Sequence, residues 1–332
     1  MNTYQSALFD AARFVRENER FLLISHVNPD GDTTGSTLAM ALLLEQMNKS
    51  YVIVNQGPTP EVFSFLPRYD KIVDLSSESI NETFTHVIAL DAADSSRMGD
   101  VTHLFAPDVA LLNIDHHPTN DAFGTCNVIV PSAAATAEIM YDWCEAASFS
   151  LNKEIATCIY TGLLTDTGGF RYSNTTPHVM EAASKLLTYG INSAEIAERC
   201  LESITLEHVQ VLRRALQSLE VTHGNLVATM QVTNQDFMET MATNEDVSGI
   251  VNYGRNIEGV EVGLFFTEIE QGVIKVSFRS RATVDVALVA KELGGGGHAR
   301  AAGCTLKGLS LQEAKDKVWW LVTKALGVES HE

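Results

Sequence analysis

In the stretch Phe21-Leu22-Leu23-Ile24-Ser25-His26-Val27-Asn28-Pro29-Asp30-Gly31-Asp32, an apolar run is followed at once by an imidazole and two carboxylates. The apolar run predicts a buried strand, so one short loop presents these side chains at the end of that strand. Nitrogen and oxygen donors of this kind are ligands for divalent metals. Pro29-Asp30-Gly31 is also an ordinary turn sequence, which leaves a purely structural explanation open for this loop alone.

The same pattern occurs at two further apolar runs. Val87-Ile88-Ala89-Leu90 ends in Asp91, and Ala110-Leu111-Leu112-Asn113-Ile114 ends in Asp115-His116-His117. In open α/β sheets the site lies beyond the carboxyl ends of the strands, so we expect these side chains to converge. A turn does not explain why three apolar strands each stop at a residue of ligand type.

Strands alternate with helices through the first half of the chain. Helices are predicted at about 4–19, 33–48, 132–147 and 151–165, and strands near 51–54, 71–74, 87–90, 109–114 and 127–130. Asp32, Thr33 or Thr34 is the expected cap of the second helix. This alternation predicts an α/β fold with a mostly parallel sheet flanked by helices.

The pattern changes in the second half. A helical stretch at 177–218 is interrupted around Ser203 and Thr205. Beyond it, strands near 219–221, 226–230, 260–266 and 274–278 are separated by helices near 244–253, 284–293 and 311–326, which predicts a smaller α+β domain. We therefore predict a first domain at 1–190, a helical linker at 191–215 and a C-terminal domain at 216–330.

Composition restricts the class of protein. The 332 residues are 45% hydrophobic and 20% charged, which is typical of a soluble protein with more than one domain. The net charge of -19 argues against binding to duplex nucleic acid but allows a local basic pocket for a small anion. Five scattered cysteines argue against a disulfide framework and a structural zinc site. The sequence shows no signal peptide and no apolar run of membrane length, so we expect a cytoplasmic protein.

A group of acidic and histidine side chains forms the predicted metal site. Asp166 is expected in a glycine-containing loop after a helix. So many carboxylates could not stay ionised and buried together without cations, and two divalent ions about 3.5–4 Å apart would relieve the repulsion. Taken singly, Asp91 could be a turn residue and His116 a partly buried histidine with local partners. The predicted ligands are His26, Asp30, Asp32, Asp91, His116 and Asp166.

These residues, in this order, resemble the four motifs of the DHH phosphoesterase superfamily, whose name matches Asp115-His116-His117. The stretch Gly294-Gly295-Gly296-Gly297-His298-Ala299-Arg300-Ala301-Ala302-Gly303 resembles the glycine-rich motif of the DHH-associated domain. With it, the resemblance covers nearly the whole chain. The layout is most similar to that of the compact bacterial NrnA-type oligoribonucleases, which also act as phosphatases for 3'-phosphoadenosine 5'-phosphate (pAp). It implies an active site in the cleft between two domains.

The resemblance also implies a role for each residue. Asp91 would bridge two ions, usually Mn²⁺, although the donor set also suits magnesium, iron or zinc. His117 would face the substrate phosphate or the leaving oxygen, and Asp115 would orient a histidine, so these three residues are the predicted catalytic residues. Asn28 stands where the family often has Asp, and it is not a predicted ligand. The two ligand sets would be His26, Asp30 and Asp91 for one ion, and Asp32, Asp91, His116 and Asp166 for the other.

The four consecutive glycines have two explanations. They could be a flexible linker, or their N–H groups could bind a phosphate together with His298 and Arg300. The arginines in the predicted substrate site could instead be solvated or form ordinary ion pairs. The predicted substrate-binding residues are Arg97, Arg279, Arg281, Gly295, Gly296, Gly297, His298 and Arg300.

The resulting prediction is a metal-dependent phosphoesterase that hydrolyses short oligoribonucleotides (nanoRNA) to mononucleotides and dephosphorylates pAp. Its partners would be short single-stranded RNA, dinucleotides and pAp, with neither duplex DNA nor a membrane, and a homodimer is left open. One alternative is a cyclic- or linear-dinucleotide phosphodiesterase of the same superfamily. Another is a catalytically silent nucleotide-binding protein, which the six filled metal positions disfavour. Family II pyrophosphatases and RecJ are disfavoured, since this chain lacks the paired lysines of the former and the extra domains of the latter.

Overall fold

A computed structural model describes residues 3–327. The chain divides into two compact units, Met1–Ser203 and Ile204–Glu332. This boundary lies within the predicted linker at 191–215, so that segment is divided between the units and is not a separate piece. Among the described residues, no helix is both long and apolar enough to cross a membrane.

The first unit is built on a six-stranded sheet in which all strand pairings are parallel. Its order is β3-β2-β1-β4-β5-β6, which confirms the predicted parallel sheet. The chain order reverses between β1 and β4, and ligands bind beyond the carboxyl ends of strands at such a switch point. The strands are β1 (Arg20–Ile24), β2 (Ser50–Asn55), β3 (Ile72–Asp74), β4 (Phe84–Leu90), β5 (Phe105–Asp115) and β6 (Cys126–Ile129).

Helices cover this sheet. Successive side chains of a strand point to opposite faces, and accordingly Phe21 and Leu23 join one buried apolar cluster while Leu22 and Ile24 join another. α2 is buried from Gly31 to Leu44. The helices are α1 (Thr3–Glu17), α2 (Gly31–Gln46), α3 (Thr136–Ala147), α4 (Lys153–Asp166), α5 (Pro177–Leu187) and α6 (Ser193–Ala197), followed by a π-helical turn at Glu198–Glu202.

Two local predictions in this unit were wrong. α2 begins at Gly31, and its cap is Asp30, whose Oδ1 accepts hydrogen bonds from the backbone N–H groups of Asp32 and Thr33, both at 3.0 Å. The strong capping preference of this aspartate starts the helix two residues earlier than the apolar pattern indicated. Asp166 is the last residue of α4 and does not lie in the loop that follows.

The second unit contains a six-stranded mixed sheet with the order β11-β12-β10-β9-β8-β7, as expected for an α+β domain. Its strands are β7 (Glu220–Thr222), β8 (Val227–Val232), β9 (Val262–Glu270), β10 (Val273–Ser280), β11 (Gly296–His298) and β12 (Ala301–Lys307). Its helices are α7 (Leu206–Gln217), α8 (Asn234–Thr240), α9 (Val251–Arg255), α10 (Val286–Glu292) and α11 (Leu311–Leu326). The helix predicted at 244–253 is shorter, and β11, β12 and α8 were not predicted.

The glycine-rich stretch is a hairpin strand, so the flexible-linker explanation was wrong. Gly296 to His298 pair antiparallel with Ala301 to Gly303. A Cβ atom on Gly295 would lie 2.1 Å from the carbonyl oxygen of Gly303. Gly297 has a φ of +140°, and a Cβ atom there would lie 2.5 Å from the carbonyl oxygen of Ala301. Both glycines are therefore needed for the close approach of β11 to β12.

Candidate metal centre

Every predicted metal ligand lies at the carboxyl end of the parallel sheet or on a helix that reaches it. Within the part of the chain that the structure describes, three groups of His and Asp side chains have ligand atoms within 4.8 Å of one another. Asp91 and His116 each belong to two of these groups, so the groups form one continuous cluster. The groups are His26, Asp30 and Asp91; Asp32, His116 and Asp166; and Asp91, His116 and His117.

Asp91 is at the centre of the cluster. It follows β4 in a left-handed conformation with a φ of 58°, which is costly for a residue other than glycine. Its Oδ2 atom lies 3.5 Å from His26 Nε2 and its Oδ1 atom lies 3.6 Å from His116 Nε2. The hydroxyls of Thr33 and Thr136 donate to Oδ2 at 2.6 Å and to Oδ1 at 2.9 Å, respectively. Each carboxylate oxygen is thus held towards a different group of ligands.

Asp32 is held by the beginning of α3. Its carboxylate accepts hydrogen bonds from the backbone N–H groups of Thr136 at 2.6 Å and Ala137 at 2.8 Å, and from the hydroxyl of Ser36 at 3.2 Å. The N-terminus of a helix favours a negative charge. Gly162 of α4 packs against this point, where a Cβ atom would lie 2.7 Å from Asp32 Oδ1. The absent side chain lets α4, which carries Asp166, approach Asp32.

Two histidines have their tautomers set by backbone carbonyls. His26 Nδ1 lies 2.7 Å from the carbonyl oxygen of Val27, and His116 Nδ1 lies 3.3 Å from that of Ala133. Because a carbonyl only accepts, Nδ1 carries the proton in each neutral ring. The Nε2 atom of His116 then lies 3.4 Å from Oδ2 of Asp166 and 3.6 Å from Oδ1 of Asp91. This is the arrangement by which a second partner orients a metal-binding histidine.

His117 is oriented through a chain of side chains. Its Nδ1 atom lies 2.7 Å from Oδ1 of the fully buried Asp115. Asn120 donates to the other oxygen of Asp115 at 2.6 Å, and Asn113 donates to Asn120 at 3.2 Å. Asp115 belongs to none of the three ligand groups found among the described residues. Its hydrogen bond therefore orients the imidazole ring of His117.

The charges of the cluster repel one another. Burial and the charges of Asp91 and Asp166 raise the pKa of Asp32 well above its ordinary value. Burial and the charges of Asp30 and Asp91 do the same to the pKa of Asp166. Burial also tends to raise the pKa of Asp91. The hydrogen bond from His26 and the charges of His26 and His116 outweigh burial and lower this pKa.

Divalent cations would relieve this repulsion. The donor set of carboxylate oxygens and imidazole nitrogens fits Mn²⁺ or Mg²⁺. The side chains that the structure brings together are therefore chemically suited to hold such ions.

Three of the predicted substrate-binding arginines have local partners. Arg281 donates to the backbone carbonyls of Val260, Arg255 and Ile257 at 3.1, 3.2 and 3.1 Å. These bonds satisfy carbonyls at the end of α9 and in the segment between α9 and β9, so Arg281 has a structural role there. Arg279 Nη1 donates to the carbonyl of the residue before it at 2.9 Å.

Arg300 and His298 lie on the same hairpin. Both are exposed; His298 ends β11, and Arg300 lies in the turn between β11 and β12. Arg300 Nη1 donates to the carbonyl of Val284 at 2.8 Å and to the hydroxyl of Ser280 at 3.4 Å. One edge of the guanidinium is thus anchored to the second unit.

Arg97 lies in the first unit, in a 3-10 helical segment at Ser95–Leu104. Its side chain is exposed. Its backbone carbonyl accepts a hydrogen bond of 2.8 Å from the N–H of Val27, which ties this segment to the loop that carries His26.

Sequence reasoning missed several supporting residues. Thr136, Asn120 and Asn174 belong to no recognisable motif, and Thr33 was considered only as a cap. Their partners are far away in the sequence, since the Thr136 hydroxyl binds Asp91 across 45 positions. A run of polar residues after an apolar strand is a visible signal, whereas a single threonine or asparagine is not.

Comparison with known proteins gives a consistent result. Residues 20–163 match the DHH family, N-terminal domain, and residues 225–324 match the DHHA1 domain. The bifunctional oligoribonuclease and PAP phosphatase NrnA of Thermus thermophilus is 37% identical, over 92% of this chain and 89% of that protein. NrnA of Bacillus subtilis is 29% identical, over 87% and 90%. The cyclic-di-AMP phosphodiesterase PdeA of Listeria monocytogenes is 24% identical, over 92% of this chain but only 47% of its own length.

Solved structures share the fold. An exopolyphosphatase-related protein from Bacteroides fragilis matches with a TM-score of 0.89 and 23% identity, covering 96% of each chain. RecJ of Thermus thermophilus in complex with Mn²⁺ matches with a TM-score of 0.50 and 14% identity, covering 96% of this chain and 54% of that one. At these identities the likeness concerns the fold alone.

Proposed function

Since this chain belongs to the DHH family, we propose that it is a metal-dependent phosphoesterase that hydrolyses short oligoribonucleotides to mononucleotides and dephosphorylates pAp. The observation that carries the proposal is the continuous cluster of ligand groups that share Asp91. The names and lengths of the two NrnA relatives support the choice of substrates. The proposal includes a cytoplasmic location, and the net charge of -19 argues against duplex DNA as a substrate.

In this proposal the ligands form two sets that share Asp91. Manganese or magnesium is the expected ion. When bound, such ions neutralise charge on phosphate oxygens and lower the pKa of water. One set is His26, Asp30 and Asp91, and the other is Asp32, Asp91, His116 and Asp166.

His117 is the proposed proton donor. Asp115 binds Nδ1 of the ring at 2.7 Å, which fixes the ring plane and favours a proton on that nitrogen. The Nε2 atom of the protonated ring can then donate a hydrogen bond, or a proton, to the departing oxygen. Asn120 holds Asp115 at 2.6 Å, so the orientation of His117 does not depend on the substrate.

The second unit supplies the proposed phosphate-binding groups. His298 and Arg300 are exposed on the glycine-containing hairpin, and an anchored guanidinium binds phosphate with little loss of side-chain freedom. A substrate with a second phosphate, such as pAp or the end of a short RNA, would use them. The need for a second phosphate would favour small substrates that carry two phosphate groups.

The proposal is tested by following the products from a dinucleotide, a pentanucleotide, pAp and a cyclic dinucleotide side by side. The protein is first treated with chelator and then supplied with Mn²⁺. We expect mononucleotides from the linear RNAs, phosphate release from pAp, and no products before Mn²⁺ is added. A cyclic dinucleotide that is consumed fastest would instead indicate a cyclic-dinucleotide phosphodiesterase. Tight binding without any product would indicate a silent nucleotide-binding protein.

A further inference from the structure

The turn that precedes α3, together with the first residue of that helix, contacts three of the proposed ligands. The carbonyl oxygen of Ala133 accepts from Nδ1 of His116 at 3.3 Å. Thr136 donates its backbone N–H to Asp32 and its hydroxyl to Asp91, at 2.6 and 2.9 Å. A displacement of this turn would therefore move His116 and Asp91, which follow strands, and Asp32, which lies on a helix.

Asn174 connects this turn to the end of α4. Its side-chain Nδ2 atom donates to the carbonyl oxygen of Ala134 at 3.1 Å and to that of Asp166 at 3.2 Å. The Asp166 carbonyl is one of the last four of the helix, which have no partner within the helix. A single amide group therefore satisfies a helix end and joins it to the turn that orients His116.

The orientation of the Asn174 amide follows from its partners. Both partners are carbonyl oxygens, which only accept, so the –NH₂ end must face them. Its Oδ1 atom is buried and has no hydrogen-bond partner among the described residues. Leaving a buried acceptor unpaired is costly, and this cost is consistent with a side chain selected for its two donated bonds.

We infer that Asn174 is a positioning residue for the ligand set Asp32, His116 and Asp166. Among the described residues, its recorded hydrogen bonds go to backbone carbonyls and not to the proposed ligand atoms, so it acts by fixing the backbone of Asp166 and the turn at Ala134. The ligands His26 and Asp30 lie on other segments and depend on it less. This inference rests on the metal centre proposed above.

The inference predicts a selective loss of metal affinity in Asn174→Ala. Residues that support metal ligands typically change metal affinity by about 10- to 100-fold when replaced. The full-length protein is titrated with Mn²⁺, and binding is measured by calorimetry and by electron paramagnetic resonance. We expect one of the two binding steps to be weakened by this factor. The Mn²⁺ concentration that gives half-maximal activity should rise, while activity at saturating Mn²⁺ should largely recover.

Asn152→Ala is the matched control. Asn152 caps the other end of α4, where its Oδ1 atom accepts from the N–H of Ile155 at 2.9 Å. Its loss should lower the melting temperature and leave both Mn²⁺ binding steps unchanged. Should Asn174→Ala fail to fold, Asn174→Ser, which keeps one donor, is titrated in its place and should show a smaller loss at the same step. Equal binding of both ions by the Asn174 variant and the wild type would overturn the inference. A wild-type protein that binds no Mn²⁺ would overturn the metal centre itself.

Discussion

At the scale of single residues, Asp91 lies at the centre of the cluster, and a threonine hydroxyl holds each of its carboxylate oxygens. Asp91 and His116 each directly follow a strand, and a polar residue after an apolar run is visible in the sequence. Thr136 and Asn174 act through bonds to segments that come near only after folding. The sequence therefore indicated which side chains meet, but not what holds them in place.

The first prediction concerns Asp91. Asn has nearly the same shape as Asp but carries no charge. Asp91→Asn therefore removes the negative charge that both ligand sets share, and we expect near-total loss of hydrolysis in a folded protein. Asp108→Asn is the control, because Asp108 is an exposed aspartate of β5 outside the ligand groups. Turnover and Mn²⁺ binding are measured for both proteins. Near-normal turnover by a folded Asp91→Asn protein would contradict the bridging role.

The second prediction concerns Gly168, two residues after Asp166. It has a φ of +57°, and a Cβ atom would lie 2.3 Å from the ring of Tyr172. Gly168→Ala must both strain the backbone and displace the ring, so we expect about 2–3 kcal/mol of destabilisation in denaturant unfolding. Gly190→Ala isolates the first cost, since Gly190 has a φ of +75° and open space around it. Equal losses in the two variants would show that the ring moves freely.

The third prediction concerns Arg300. A charge-assisted hydrogen bond to phosphate contributes roughly 1.5–3 kcal/mol, so Arg300→Ala should lower kcat/KM for pAp and short RNA by about 10- to 100-fold. A simple activated phosphodiester with no second phosphate should be affected little. Lys307→Ala, which removes an exposed cation at the far end of β12, is the control. A uniform loss on all substrates that follows the melting temperature would remove Arg300 from the phosphate site, because its bond to Val284 also has a structural role.

At the scale of elements, strongly patterned segments were predictable and short ones were not. The helix expected at 311–326 has those bounds in the structure. β12 was missed because Ala301, Ala302 and Gly303 at its start are small and give no alternation of apolar and polar residues, although its burial does alternate. α2 was placed two residues late because the apolar pattern does not show where a cap such as Asp30 begins a helix.

The fourth prediction concerns the C-terminal end of α2. Glu45 accepts hydrogen bonds from Arg68 at 3.0 Å, Lys71 at 2.7 Å and Tyr51 at 2.6 Å. The bonds from Arg68, with smaller contributions from Lys71 and Tyr51, outweigh burial and lower the pKa of Glu45 to about 2. A lowered folded-state pKa contributes stability that is present above the unfolded value near 4.5 and is lost as the pH falls towards 2.

We therefore expect Glu45→Gln to destabilise the protein at neutral pH by about 1–2 kcal/mol, after allowance for solvent screening. The difference from wild type should shrink as the pH falls from about 5 to 3. Chemical denaturation across this range measures it. Glu154→Gln is the control, because Glu154 lies 3.5 Å from Arg68 but is half exposed. A difference that is independent of pH would show that packing, and not charge, is responsible.

At the scale of the whole molecule, the two-unit organisation followed from the change of pattern after the helical stretch at 177–218. The boundary at Ser203 coincides with the predicted interruption. What the sequence did not show is that α7 belongs to the second unit, since an amphipathic helix between two domains can pack against either. Its buried Val211 and Ala215 belong to an apolar cluster with residues of the second sheet such as Met230 and Phe265.

The fifth prediction concerns a protein that ends at Ser203. Each unit has apolar clusters of its own, so the first unit should fold alone. It retains all six proposed ligands but lacks His298 and Arg300. We expect Mn²⁺ binding to survive and hydrolysis of pAp and short RNA to fall steeply, because positioning is lost. Near wild-type rates on these substrates would contradict a substrate-binding role for the second unit.

The parallel sheet also has a consequence for how the chain is made. β1 pairs with β2 and with β4, and all strand pairings of that sheet are parallel, so none can form as a local hairpin. In the second unit, β9 and β10 are joined by a tight antiparallel hairpin. Folding slows as contacts become more distant in the chain. The N-terminal unit, although it leaves the ribosome first, should thus be the slower of the two to acquire its native structure, with β1 waiting for β4 to be synthesised.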